Sequence, residues 1–366
     1  MEWPEPIVRV QSISESGTTV IPKQYIKPPS RRPSLQSFES DHVSIKIPTI
    51  DLSEDMDYSS IVTSMSEACR EWGFFHLANH GVSPVLLKKI RSVWKEFFYL
   101  PMDEKNKYAN NPVTYEGYGS RLGVMKGANL DWGDYFHLNF LPVSLQDQSK
   151  WPSLPSSCRD TIEEYGREVA KVYSKLMRVI SKSLELEEDD LWRALGGSEF
   201  TATMRVNFYP KCPQPDLTLG FSTHSDPGSL TILLPDDHVK GLQIRKDGSW
   251  LTVDSIPDVF VVNIADQIQV LTNNTYKSVE HRVLVNAEEE RMSLAFFCNP
   301  KCDLMIEPMK RFVSEDQLAM YSPMTYQEYR MFVREKGPQG KSQLESLKSF
   351  GPRSTTSVDV DLAENA

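Results

Sequence analysis

Several features typical of membrane, secreted and nucleic-acid-binding proteins are missing from this chain of 366 residues. No apolar run approaches the roughly 20 residues of a membrane-spanning helix, and the amino terminus lacks the apolar stretch of a signal peptide. The 5 cysteines are few, odd in number and without zinc-type spacing, which indicates reduced thiols. A net charge of −10 with scattered basic residues argues against nucleic-acid binding. We expect a cytoplasmic monomer without a nucleic-acid or membrane partner.

Residue patterns divide the chain into four stretches. Residues 1–44 are rich in proline and serine and predict a partly disordered extension, with a short helix near 7–15 and a linker at 27–34. Residues 45–199 show apolar residues at helical spacing, including a long helix that begins near 162, and therefore predict a mainly helical region.

The third stretch, residues 200–320, changes to the two-residue period of β-strands, with Asp247-Gly248 as a hairpin turn. It predicts an all-β sandwich or jelly roll. Residues 321–366 return to a helix, capped by Thr325 with Glu328 three residues later, followed by a polar tail from Gly337 that we expect to be disordered. Of the four stretches, residues 200–320 therefore say most about the fold class, and the candidate functional residues are sought there first.

Two histidines and an aspartate form the most informative pattern in this stretch. His224 and Asp226 would share one face of an extended strand, whereas His281 follows much later in the chain. Two imidazoles and one carboxylate can hold one face of an octahedral iron(II) ion and leave positions open for a cosubstrate and dioxygen. Because His-x-Asp is also common outside metal sites, the oxygenase hypothesis needs support from other residues.

Arg291 and Ser293 provide that support. On a strand they point to the same side as Phe297, while the alternate residues face the core. A guanidinium with a hydroxyl two residues on is suited to bind the distal carboxylate of a dicarboxylic acid, since arginine offers a planar fork of donors. Taken alone, Arg-x-Ser also suits a solvent-exposed strand face.

Longer stretches around these residues carry a resemblance to a known family. They are Ile47-Pro48-Thr49-Ile50-Asp51-Leu52, residues 73–81, Asn207-Phe208-Tyr209-Pro210, His224-Ser225-Asp226, His281-Arg282 and Arg291-Met292-Ser293. With them the chain resembles the plant 2-oxoglutarate- and iron(II)-dependent dioxygenases, which include anthocyanidin synthase, over nearly its whole length. Residues 3–12, 114–124 and 126–132 most resemble the jasmonate-induced oxygenases of that group.

The resemblance implies a mixed α and β fold with a double-stranded β-helix, or jelly-roll, core flanked by helices. It implies iron(II), 2-oxoglutarate as cosubstrate and dioxygen, with ascorbate as a helpful reductant. The implied iron ligands are His224, Asp226 and His281. The residues implied to bind 2-oxoglutarate are Arg291, Ser293, Tyr209 and Asn207.

Three arginines are candidates for substrate binding. Arg205 shares a strand face with Asn207 and Tyr209, a face that would suit solvent but that the resemblance turns toward the interior. A buried guanidinium needs an anionic partner. Arg330 and Arg334 stand four residues apart and share a face of the predicted carboxy-terminal helix, which could equally be solvent-exposed. By resemblance, all three fall on positions that hold the jasmonate carboxylate.

Phe297 and His137 complete the predicted substrate pocket. Phe297 would supply an apolar wall. At His137 the oxygenases that the chain resembles carry an aromatic hydrocarbon ring, so this histidine either changes the polarity of the pocket or faces away from it.

The resemblance implies hydroxylation of a small carboxylic-acid hormone, jasmonic acid, to 12-hydroxyjasmonic acid, which would turn down a plant hormone signal. Two alternatives remain open. A flavonoid oxygenase similar to anthocyanidin synthase would need a flatter aromatic pocket, and its neutral substrate would leave Arg205 without an anion. A non-catalytic protein that binds a small molecule on the same scaffold is the other alternative.

Overall fold

The computed structural model describes residues 3, 5–33, 46–122, 125–338 and 340–348. Helices in these ranges are α1 Val10–Glu15, α2 Tyr58–Glu67, α3 Pro84–Phe98, α4 Met102–Asn106, α5 Cys158–Ser183, α6 Asp190–Ala194, α7 Asp266–Leu271, α8 Tyr326–Lys336 and α9 Ser342–Ser346. Strands are β1 Thr49–Asp51, β2 Phe74–Ala78, β3 Gly117–Gly119, β4 Asp134–Leu141, β5 Thr201–Tyr209, β6 Phe221–His224, β7 Leu230–Leu234, β8 Leu242–Lys246, β9 Ser249–Thr252, β10 Phe260–Ile264, β11 His281–Val283, β12 Arg291–Asn299, β13 Met305–Ile306 and β14 Met324–Thr325.

Two sheets form the jelly-roll core. The larger sheet has eight strands in the order β1-β2-β10-β7-β12-β5-β4-β3, and only the β1–β2 pair in it is parallel. The smaller sheet has four strands in the order β6-β11-β8-β9. The non-consecutive strand order requires crossovers between the sheets, as in a jelly roll. The predicted mixed fold with a jelly-roll core is therefore confirmed.

The large sheet is covered on both faces. One face packs against the helices, which include α3 and α5, in a cluster of buried apolar side chains that contains Trp94, Phe136 and Tyr173. Gly166 of α5 lies so close to Phe140 of β4 that a Cβ atom on it would come within 2.2 Å of the ring. The other face meets the small sheet, where Val261 of β10 packs against Ile244 of β8. The large sheet is thus held between the helices and the small sheet.

Local signals placed several elements correctly. Asp247 and Gly248 both have positive φ, 49° and 82°, and join β8 to β9 as the predicted hairpin turn. At the start of α8, Thr325 accepts a hydrogen bond from the Glu328 backbone N–H, and the Glu328 carboxylate accepts one from the Thr325 backbone N–H, which is the predicted capping box.

Residues 45–199, predicted to be mainly helical, contain helices α2 to α6 and also contribute strands to the large sheet. Strands β1 to β4 lie in this range, and all four belong to the large sheet. β4 pairs with β5 from Asp134 to Leu141, so the sheet continues across the predicted boundary at residue 200. β1 and β3 have three residues each, too few to show a period, whereas residues 74–77 within β2 are strand-like in sequence. In β4 the apolar residues Phe136, Leu138 and Phe140 alternate with polar ones, which is a strand signal that the helical spacing elsewhere in this stretch obscured.

In the predicted linker at residues 27–34, Lys27 and Pro33 are buried and residues 28–31 are exposed, while Ser34 lies outside the described residues. Residues 5–33, here called the amino-terminal strap, run across the core with Val10, Ile21 and Tyr25 buried. The predicted short helix in this stretch is confirmed as α1. The proline-rich composition indicated a linker because its apolar residues follow neither the helical nor the strand period. A few widely spaced apolar side chains are nevertheless enough to hold an irregular segment against the core.

The predicted disorder from Gly337 is wrong for residues 337, 338 and 340–348. Helix α9 lies in this part, with Leu344 fully buried and Leu347 nearly so. The Gly340 backbone N–H donates to Thr223 O of β6 at 2.8 Å. The prediction for residues 349–366 falls outside the described residues. No helix in the ranges that the structure describes is both long enough and apolar enough to cross a membrane.

Candidate active site

Strand pairing brings together the three residues predicted to bind a metal. His224 ends β6 and lies directly across from His281 at the start of β11. Their Nε2 atoms lie 3.5 and 3.6 Å from Oδ1 of Asp226, and the three candidate ligand atoms fall within 4.8 Å of one another. Three donors this close, from neighbouring strands and one loop, can occupy one face of an octahedral ion.

Hydrogen bonds orient all three donors. His224 Nδ1 lies 2.8 Å from Ser222 O, and His281 Nδ1 lies 3.1 Å from Val279 O. Because these carbonyls can only accept, each Nδ1 carries the proton and each Nε2 presents a lone pair toward Asp226.

The Asp226 carboxylate is held by two residues that sequence reasoning missed. Its Oδ2 accepts from Thr231 Oγ1 at 2.6 Å and from Asn263 Nδ2 at 2.9 Å, which leaves Oδ1 facing the imidazoles. A signal for Asn263 was present, because it is the one polar residue in the apolar strand β10.

The protonation states also suit a metal. Burial alone would raise the pKa of Asp226, but His281 and His224 outweigh it and hold the pKa below its ordinary value. Burial, followed by the charge of His224, lowers the pKa of His281 to about 4. At neutral pH the site therefore holds an ionised carboxylate with a neutral His281. This donor set fits iron(II).

A second buried carboxylate lies behind the metal-binding loop. The Asp266 backbone N–H donates to Asp226 O at 2.9 Å, and Asp266 Oδ2 accepts from Tyr329 Oη of α8 at 2.6 Å and from Ser225 Oγ at 3.2 Å. Burial raises the pKa of Asp266 to about 6. Helix α8 is thereby fastened next to the candidate metal site.

The predicted cosubstrate residues come together on two neighbouring strands. β12 pairs with β5 so that Arg291 lies opposite Tyr209 and Ser293 opposite Asn207. All four side chains are buried. Arg291 Nη1 lies 3.5 Å from Ser293 Oγ, and the guanidinium carbon lies 5.4 Å from the centre of the Tyr209 ring. The predicted shared face of Arg291 and Ser293 is therefore present.

Arg291 lacks a full set of partners. Its Nε is buried without a hydrogen-bond partner, and no carboxylate of the described residues lies within salt-bridge distance of it. Burial lowers the pKa of Arg291, and Tyr209 opposes that shift. A buried cation with an unused donor is a site for an anion, which the carboxylate of 2-oxoglutarate would satisfy.

A pocket of about 220 Å³ opens beside the candidate metal ligands. His224 and Asp226 line one part of it. The residues predicted to bind substrate that line the remainder are His137, Arg205, Phe297, Arg330 and Arg334. All five predictions therefore meet at one cavity, and His137 faces into the pocket.

Aromatic rings and backbone carbonyls hold two of the pocket arginines in place. The Arg205 guanidinium lies 3.8 Å from the centre of the Tyr135 ring, and its Nε donates to Asn207 Oδ1 at 2.7 Å. The Arg334 guanidinium lies 4.1 Å from the centre of the Tyr115 ring and donates to Pro112 O at 3.2 Å. Neither arrangement neutralises a cation.

The pocket is electropositive away from the metal site. Among its described lining residues, Asp226 is the one carboxylate, whereas Arg205, Arg330 and Arg334 are three cations. Burial, followed by these three arginines, lowers the pKa of His137 to about 3, so this imidazole is neutral at physiological pH. The far end of the pocket is thus suited to a negatively charged group.

Two family profiles match this chain. Residues 200–300 match the 2OG-Fe(II) oxygenase superfamily, and residues 47–154 match the profile described as non-haem dioxygenase in morphine synthesis N-terminal. The chain is 54% identical over 350 residues to Jasmonate-induced oxygenase 2 of Arabidopsis thaliana, covering 94% of each chain. This chain belongs to the 2OG-Fe(II) oxygenase superfamily.

Other members of the superfamily are also similar to this oxygenase. Leucoanthocyanidin dioxygenase of Malus domestica is 37% identical, with 88% of this chain and 93% of that protein covered. A crystal structure of JOX2 in complex with 2OG, Fe and JA has a TM-score of 0.90 at 54% identity, covering 96% of this chain and 100% of that one. This oxygenase is therefore an enzyme that uses iron(II) and 2-oxoglutarate to oxidise a small molecule.

Proposed function

We propose that this oxygenase hydroxylates jasmonic acid to 12-hydroxyjasmonic acid. The observation that carries the proposal is the pocket beside the candidate metal ligands, in which Arg205, Arg330 and Arg334 have no carboxylate partner among the described lining residues. The 54% identity to JOX2, whose structure contains JA, supports an acidic substrate of this kind.

In this proposal, His224, Asp226 and His281 bind iron(II). Bound iron(II) and 2-oxoglutarate supply the oxidation, in which dioxygen is consumed, 2-oxoglutarate becomes succinate and carbon dioxide, and one oxygen atom enters a C–H bond of the substrate. The Nδ1 hydrogen bonds of the two histidines and the Thr231 and Asn263 contacts of Asp226 keep the three ligand atoms oriented.

Arg291 and Ser293 would bind the distal carboxylate of 2-oxoglutarate, with Tyr209 and Asn207 beside it. The buried, unpartnered Nε of Arg291 supports this role. The four residues come from two paired strands, so their spacing is rigid, and a rigid clamp orients the cosubstrate toward the metal.

The jasmonate carboxylate would lie among the three pocket arginines, and the hydrocarbon chain would extend toward Asp226 and His224. Arg330 and Arg334 lie one helical turn apart on α8, so both can reach one anion, while Arg205 approaches from β5. Phe297 and Phe221 line the same pocket and would exclude water around the chain. Neutral His137 can donate a hydrogen bond to a substrate oxygen without adding charge.

The proposal is tested by comparing an acid with its ester. Turnover of jasmonic acid, methyl jasmonate and a flavanone is measured by mass spectrometry in the wild type and in Arg330→Ala. Losing one charge-assisted contact should lower turnover of the acid by roughly tenfold to a hundredfold, about 1.5–3 kcal/mol, and should barely change the ester. The ester should already be a poor substrate because it cannot neutralise the arginines.

Arg311→Ala is the matched control, because Arg311 is a surface residue paired with Glu185 at 3.0 Å, away from the pocket. It should behave like the wild type. Equal rates for acid and ester in the wild type, or preferential turnover of the flavanone, would refute an acidic substrate and favour a flavonoid oxygenase.

We also propose that the enzyme works as a cytoplasmic monomer and that ascorbate supports its turnover. All five cysteines are free thiols, four of them buried, which is consistent with a reducing compartment. Light scattering on the purified chain would test the oligomeric state, and turnover with and without ascorbate would test its effect.

A further inference from the structure

The amino-terminal strap crosses the end of the barrel where the proposed cosubstrate residues lie. Tyr25 of the strap packs edge-to-face on Trp132, with ring centres 5.3 Å apart, in the same apolar cluster as Tyr209. Backbone hydrogen bonds of 2.8 Å tie the strap to two loops, from Leu130 N to Gln24 O and from Lys27 N to Leu217 O. One of these loops leads into β4 and the other into β6, which ends at His224.

Lys27 is a buried cation in this strap, with 2% of its side chain exposed. Its Nζ donates to Leu130 O and to Asp131 Oδ1, both at 2.8 Å. Burying an ammonium group costs several kcal/mol unless it is paired, so Asp131 must stay close to it. The pair therefore fixes the Asp131 carboxylate in one position.

The same carboxylate oxygen leads to an imidazole of the metal site. Asp131 Oδ1 also accepts from Ser222 Oγ at 2.6 Å, and the Ser222 carbonyl accepts from His224 Nδ1 at 2.8 Å. Ser222 is thus held through its side chain by Asp131 while its main chain orients His224. A continuous series of short polar contacts runs from Lys27 through Asp131 and Ser222 to His224.

We propose that Lys27 is a positioning residue for the iron ligand His224, and that the strap is therefore a working part of the metal site. This inference rests on the proposed role of His224 as an iron ligand. Lys27 neutralises Asp131, Asp131 fixes Ser222, and the Ser222 carbonyl sets the ring orientation and the tautomer of His224. The strap needs no contact with substrate to act in this way.

The experiment measures iron(II) affinity directly, by anaerobic titration of the full-length chain, together with the absorption band of the iron(II)–2-oxoglutarate complex and the thermal unfolding midpoint. Lys27→Met should weaken iron(II) binding by roughly three- to tenfold, less than the 10–100-fold typical of a residue that contacts a ligand directly. Lys27→Arg should retain most of the affinity. Lys23→Met is the matched control, because Lys23 is an exposed lysine of the same strap.

A double variant separates positioning from packing. In Lys27→Met/Asp131→Asn the unpaired charge is gone and the amide oxygen can still accept from Ser222, so iron(II) affinity should recover toward the wild type. If Lys27→Met does not fold, Ser222→Ala replaces it, since that change removes only the hydroxyl that Asp131 accepts from and should weaken iron(II) binding by a similar factor.

Two results would overturn the inference. In the first, Lys27→Met lowers the unfolding midpoint, but its iron(II) affinity and its absorption band are the same as those of the control Lys23→Met. The strap would then be purely structural. In the second, Ser222→Ala binds iron(II) as the wild type does. His224→Ala tests separately the assumption that His224 binds iron(II). Unchanged iron(II) binding in that variant would refute the proposed metal site itself.

Discussion

Replacing Arg291 by leucine should separate stability from cosubstrate affinity. Arg291 is 4% exposed, its Nε has no hydrogen-bond partner among the described residues, and its Nη1 lies 3.5 Å from Ser293 Oγ. Without 2-oxoglutarate, the protein therefore contains a buried cation that is incompletely compensated. A buried polar group without its partner costs about 1–3 kcal/mol, and a charged one costs more.

Two effects of opposite sign follow for Arg291→Leu. Without 2-oxoglutarate, the free energy of unfolding should stay equal to that of the wild type or rise by about 1 kcal/mol, because lost packing offsets part of the relief from the buried charge. Affinity for 2-oxoglutarate should fall by about 1.5–3 kcal/mol, roughly tenfold to over a hundredfold, because a charge-assisted contact is lost.

Denaturant unfolding without cosubstrate and calorimetric titration of 2-oxoglutarate into iron(II)-loaded protein under anaerobic conditions measure the two quantities. The control is Arg91→Leu, which removes a guanidinium that is already paired, with Asp237 at 2.8 Å. Arg91→Leu should lower stability and leave the titration unchanged. A loss of stability in Arg291→Leu with an unchanged affinity for 2-oxoglutarate would show that Arg291 is structural and that the cosubstrate binds elsewhere.

Three further predictions concern the metal site, the carboxy-terminal segment and the pocket. Asp226→Ala should abolish succinate formation with an unchanged circular dichroism spectrum, because two imidazoles cannot hold the facial geometry; near-normal succinate would remove Asp226 from the site. Leu344→Ala should lower the free energy of unfolding by about 2–4 kcal/mol in urea, since Leu344 is fully buried, and a loss below about 1 kcal/mol would contradict the packing of α9. His137→Phe should make the unfolding midpoint less sensitive to acid. The pKa of His137 is lowered to about 3 in the folded protein, so below about pH 6.5 the folded histidine binds fewer protons than the same residue in the unfolded chain. Wild-type stability therefore falls as the pH falls from there, by at most about 1.4 kcal/mol per pH unit. Parallel midpoint profiles between pH 6.5 and 4.5 would contradict this reasoning.

Short-range patterns predicted much of the fold and of the candidate site. The Asp247-Gly248 turn and the Thr325 capping box depend on residues within four positions of each other, and both formed as predicted. The alternation in β5 and β12 placed Arg205 on one face with Asn207, and Arg291 on one face with Ser293, because a period of two determines which side chains share a face. The family resemblance, and not the alternation, assigned these faces to the interior.

Long-range contacts explain what was missed. The strap and the segment 340–348 lack any period, and they are ordered by partners distant in the sequence, such as Asp131 for Lys27 and Thr223 for Gly340. Thr231 and Asn263 donate hydrogen bonds to Asp226 from two other strands. No local sequence motif around either residue predicts that contact. Composition predicts whether a segment can form its own regular structure, and it does not reveal whether another part of the chain will bind it.

The attachment of α8 has a consequence for how substrate preference can change. Tyr329 fastens this helix to Asp266 beside the metal-binding loop, while Arg330 and Arg334 on the same helix reach the pocket. The proposed iron ligands and the proposed cosubstrate residues all lie between residues 207 and 293, outside this helix. Two of the three arginines proposed to select the substrate, Arg330 and Arg334, therefore lie on an element separate from the oxidising centre, whereas Arg205 shares β5 with the cosubstrate residues. Substitutions along this one short helix should change the preference for an acidic substrate while the oxidising centre stays intact.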